Sequence, residues 1–176
     1  MVNINNEMPF GEWVDDELTE RLGITVVDGR KVANDDAAND FKESRWLDDV
    51  IVIGADVPED AKVFVAYHEY KHYLDYIGRG IVPSDEHSSV RSSRIEKECD
   101  LYALRRVVRE MGVSACSKAI EWMISYHFQW DSDHPDDPSD LLYRAVFLYR
   151  FSRRNGLNID TTVDMVQLQK SQRWWR

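Results

Sequence analysis

The chain has 176 residues, 43% hydrophobic and 31% charged, with a formal net charge of −10, the size and make-up of one soluble globular domain with a substantial core. The charge is uneven: residues 1–60 carry 16 acidic and 5 basic side chains and the rest of the chain 16 and 17, which argues against general nucleic-acid binding. No basic region followed by an apolar run opens the sequence, and no stretch nears the roughly 18 apolar residues of a membrane span, so a soluble, cytoplasmic protein with no membrane partner is expected. Two cysteines, Cys99 and Cys116, make neither a disulfide framework nor a Cys-rich zinc pattern and fit a reducing compartment.

In chain order, Trp13, Val14, Glu17, Leu18, Arg21 and Leu22 give the pattern of a short amphipathic helix over residues 12–22, closed by Gly23. Ile24 to Val27 and Arg30 to Ala33 flank Asp28-Gly29, a two-residue hairpin signal. Asn34 to Asn39 reads as a polar loop, and Val50 to Ile53 before Gly54 as a further strand. These pieces predict a small antiparallel sheet.

The sheet leads into His68-Glu69-Tyr70-Lys71-His72, an H-E-x-x-H sequence. Asp56-Val57-Pro58-Glu59 has the form of a capping box with Pro in the first turn, so a helix is predicted from near Val57 to Gly78. Val63, Tyr67, Tyr70, Leu74 and Ile77 predict a core face distinct from the one carrying the two histidines. On a helix, His68 and His72 lie one turn apart and suit a single Zn²⁺. Glu69, about 100° further round, suits a general base acting on water in the open position. The alternative is a coincidental surface pair.

Residues 78–90 read as an exposed connection, with the next helix starting at Ser92 or Ser93. Its Glu96 is the favoured third zinc ligand, with Glu98, Asp100 and Cys99 as alternatives. Glu96 and Asp100 share a helical face, so Asp100 would orient a ligand histidine through its second nitrogen. The competing readings are a capping glutamate at Glu96, in Ser93-Arg94-Ile95-Glu96, and a solvated charge at Asp100.

From Val50 to about Arg106, the strand, the capped helix start, Phe64-Val65-Ala66-Tyr67 leading into the H-E-x-x-H sequence, and then Glu96-x-Glu98-Cys99-Asp100-x-Tyr102-Ala103 resemble the ImmA/IrrE-type zinc peptidases. The Glu96-x-x-x-Asp100 spacing is also similar to the gluzincins. The resemblance implies a compact zincin-like α+β fold, in which a sheet edge strand receives an extended substrate and lies against the active-site helix, and a following helix supplies the Glu ligand. It implies endopeptidase activity, often on one specific regulatory protein. Tyr70-Lys71 stands where Leu-Gly is common in that family, and Cys99 where Ala is usual.

Beyond Arg106 the chain reads as mainly helical. Residues 114–130 are apolar at Ala115, Ala119, Trp122, Met123 and Tyr126, and residues 139–154 at Leu142, Ala145, Val146 and Tyr149, with an acidic loop between. His127 and His134 flank that loop as structural histidines. His87, between the two metal helices, is the candidate oxyanion stabiliser. A last helix from Asp160 ends in Trp174-Trp175, expected to fold back on the core, with a partner-binding anchor as the alternative. The expected organisation is one domain: residues 1–56 with the N-terminal helix and sheet, 57–111 with the zinc-site helices, and 112–176 helical. The expected function is a zinc endopeptidase acting on a protein or peptide substrate. The alternative is a catalytically silent, metal-stabilised interaction module.

Overall fold

A computed structural model describes residues 10–32, 44–47, 49–79, 89–133 and 140–158. The architecture is α+β, with two compact units, Met1–Gly80 and Ile81–Arg176. Among the described residues, the strands all belong to the first unit.

The first unit opens with α1 (Phe10–Trp13) and α2 (Asp16–Leu22), two short helices where the apolar pattern predicts one. The break is at Val14-Asp15. Val14 makes a one-residue antiparallel bridge to Val27, and the Asp15 N–H donates to the Val26 carbonyl at 2.8 Å. The Asp15 carboxylate meanwhile accepts from the Leu18 N–H at 3.0 Å, capping α2. Gly23 ends α2 in the left-handed region at φ 68°, as predicted.

Three strands form one mixed sheet in the order β1 (Thr25–Asp28), β3 (Val50–Ile53), β2 (Arg45–Leu47). β1 runs parallel to β3 in the register Thr25↔Val50 to Asp28↔Ile53, and β2 runs antiparallel to β3. The predicted all-antiparallel sheet is therefore corrected, and so is the hairpin at Asp28-Gly29. Arg30 lies in a short helix, α3 (Gly29–Val32). The Asp28 carboxylate accepts from the Arg30 N–H at 3.1 Å and from its guanidinium at 2.9 and 2.6 Å, which turns the chain away from β1 instead of back along it. The all-apolar Val50-Ile51-Val52-Ile53 run suits the centre of the sheet, where Ile51, Val52 and Ile53 are buried although they alternate between faces.

α4 (Glu59–Arg79) packs against β3, β2 and α2. It starts two residues later than predicted, with the Pro58 carbonyl accepting from the N–H of Ala61 and Lys62, and it runs through Gly78 to Arg79. Ala61, Phe64, Val65, Ala66, Tyr67, His68, His72 and Asp75 are buried; of the predicted core face, Tyr67 is fully buried, Val63, Tyr70 and Leu74 are half-buried and Ile77 is 57% exposed. This corrects the predicted core face: the two histidines lie on the buried side of the helix, not on a face apart from it.

The second unit packs α5 (Ser89–Met111), α6 (Val113–Asp133) and α7 (Asp140–Arg154) against one another. Leu104, Ile120, Ile124 and Leu148 are fully buried, each such side chain contributing on the order of 1.5–3 kcal/mol. Gly112, at φ 87°, divides α5 from α6. α7 closes at Gly156, φ 66°, where the Leu157 N–H returns to the Ser152 carbonyl at 3.0 Å and Leu157 is buried. Residues 114–130 and 140–154 are thus helical, nearly as predicted, and α6 runs on to Asp133. His87, His134, Trp174 and Trp175, and the predicted final helix, lie outside the described residues.

Candidate metal centre

Among the described residues, His68 and His72 in the first unit and Cys99 in the second are buried side chains of metal-ligating type. In the first unit, α4 brings the Nε2 atoms of His68 and His72 to 3.2 Å, with the rings edge-on at 69° and centroids 5.0 Å apart. Two nitrogens bound at about 2.0–2.1 Å to one tetrahedral ion stand roughly 3.3–3.4 Å apart, so the separation fits a shared ion. It also suits one N–H···N hydrogen bond between unlike tautomers. Phe64, one turn earlier, sets its ring 6.4 Å from that of His68. Glu69 is half-buried beside the pair. Lys71, inside the motif, pairs with the buried Asp75 one turn on.

A second set of charges fixes the start of α4 to the sheet. Lys62 reaches Asp15 at 2.8 Å, Glu59 at 3.0 Å and Asp28 at 3.6 Å, and Arg30 joins Asp28 to Glu59 at 2.6 Å each. Burial alone would raise the Asp15 carboxyl, but hydrogen bonds from Lys62 and the Leu18 N–H outweigh it and hold it below the usual 3.8. Asp28 is likewise held low, burial being outweighed by Arg30. Lys62 is raised despite its burial, by Asp15 and Glu59.

In the second unit, α5 begins at Ser89, so Ser93 is inside the helix and Glu96 is not a capping-box residue. Asp100 is fully buried, which removes the solvated-charge reading. Glu96, half-buried, precedes Cys99 and Asp100 by three and four residues and heads a buried stripe continued by Ala103 and Val107. Glu98 is turned elsewhere: its side chain is 43% exposed and pairs with Arg94 at 3.2 Å. Burial pushes the Cys116 thiol up to about 11, which leaves it a packing residue. Cys99 is the metal-competent residue that periodicity ranked low. Its signal was a thiol on the same helical face as Glu96 and Asp100.

Among the described residues, no helix is long and apolar enough to cross a membrane. Compared with protein-family models, with curated proteins and with solved structures, the chain gives no match.

Proposed function

We propose that this chain is a zinc-dependent endopeptidase of zincin type, acting on a protein or peptide substrate. The observation that carries the reading is the 3.2 Å separation of the His68 and His72 Nε2 atoms on one helix, with Glu69 as the residue between them that can act as a base. His68, His72 and Glu96 are the proposed ligands, with Cys99 as the alternative to Glu96; Asp100 orients a histidine. When bound, zinc supplies Lewis acidity, acidifying water and polarising the scissile carbonyl. Glu69 accepts the proton of the attacking water and passes it to the departing amine. Both imidazoles are buried, that of His68 beside Phe64, which keeps the ring pair in one geometry and excludes bulk water from that side. His87 remains the proposed oxyanion donor.

Cys99 favours a second reading. Thiolate and imidazole are the donor types of closed, four-ligand structural zinc sites, and a Cys99 thiolate among the ligands together with a further donor suits the silent interaction module. Replacement of Glu69 by Gln separates the two. Loss of cleavage with zinc retained supports the peptidase, and unchanged biological activity supports the module.

A further inference from the structure

In the second unit, α5 and α7 flank an open cleft of about 430 Å³ whose wall combines aromatic surface with positive charge. Phe147, Phe151 and Leu101 supply the apolar part. Lys97 from α5 and Arg150 and Arg154 from α7 supply three cations, Asn155 adds to the wall, and among the described residues no carboxylate lines it. Arg150 and Arg154 sit one turn apart, a like-charge spacing that costs helix stability. Both are exposed, and among the described residues neither has an ion pair. Arg154 gains from the helix C-terminus, but that does not account for Arg150. The Lys97 ammonium lies 5.0 Å from the centroid of the Phe147 ring, so charge and aromatic surface meet at one point.

We propose that this cleft binds a small amphipathic anion, an aromatic or branched apolar body bearing one carboxylate or phosphate. The volume is that of a small-ligand site. Two guanidinium groups one turn apart suit the forked geometry of either anion, and Phe147 and Phe151 suit the apolar body.

The test is calorimetric titration of the full chain with four probes: 3-phenylpropionate, phenyl phosphate, the neutral 3-phenylpropanol and inorganic phosphate. The proposal expects one or both aromatic anions to saturate a single site at low-millimolar concentration or below, which also tells carboxylate from phosphate preference. The alcohol and inorganic phosphate should bind at least about tenfold more weakly, since each lacks one half of the recognition. The double variant Arg150→Gln/Arg154→Gln, whose exposed positions leave the fold and melting temperature intact, should lose about tenfold or more for the anions. Lys118→Gln, on an exposed position of α6, a helix that supplies no described residue to the wall, should not. Equal affinity for the alcohol, unchanged binding in the double variant, or no saturation by either aromatic anion up to about 10 mM would each overturn it.

Discussion

Lys62, in the first turn of α4, donates to the carboxylate of Asp15, the residue that caps α2, at 2.8 Å, with only 14% and 10% of the two side chains exposed. The pair ties the helix carrying His68 and His72 to the layer in front of it. Replacing Lys62 with Met should cost about 3 kcal/mol, the low end for breaking a buried pair, because Arg30 still neutralises Asp28. Denaturant unfolding measures it, and a loss under about 1 kcal/mol would show the pair to be incidental.

The same cluster sets a pH dependence. Asp15 and Asp28 have carboxyls lowered on folding, so their stabilisation is present above the ordinary value of 3.8 and is lost as pH falls through the lower folded values. Lys62 is raised above 10.5, so its contribution is complete below that value and is lost as pH climbs past the folded one. Melting temperature should therefore fall off below about pH 4 and above about pH 10.5. In Lys62→Met the alkaline limb attributable to this group should vanish and the acid limb become shallower.

Gly23 closes α2 at φ 68° with open space around its Cα. Replacement by Ala should cost about 1 kcal/mol through the left-handed backbone alone. Urea titration gives the value; an unchanged midpoint would mean that the turn relaxes.

Much of the helix layout was legible because its signals are local. Asp56-Val57-Pro58-Glu59 announced α4 to within two residues, and Gly23 closed α2. The H-E-x-x-H spacing places two imidazoles on one side of any helix, and that is where they are. What was misread depends on distant partners. Asp28-Gly29 has hairpin composition, yet the Asp28 carboxylate is taken by Arg30, and β1 finds its partner in β3, more than twenty residues on. β2, at Arg45-Trp46-Leu47, was overlooked because three residues are too short for alternation to register. The buried face of α4 was misplaced because periodicity counts apolar letters, whereas this face buries His68, His72 and Asp75 among them. Asp100 and Cys99 share that lesson, since burial could not be read from their letters.

The third ligand is decided by three substitutions. Chelator competition on Glu96→Gln, Cys99→Ala and Glu98→Gln should show a large drop in zinc affinity for the true ligand, on the order of a hundredfold, and little change for Glu98→Gln, whose carboxylate is engaged by Arg94 at the surface. Greatest sensitivity at Cys99 would replace Glu96 in the donor set and strengthen the structural-zinc reading.

The peptidase reading itself rests on Glu69, and one matched comparison tests it most directly. Wild type and Glu69→Gln, each assayed for bound zinc and melting temperature, are added to a proteome and the new protein N-termini are counted. The substitution keeps shape and leaves His68, His72, Glu96 and Cys99 untouched. Zinc should stay near one per chain and the melting temperature near wild type. The N-termini produced by the wild type should fall at least about a hundredfold, the low end of what general acid–base catalysis contributes. The same N-termini at the same rate from both proteins would contradict the account.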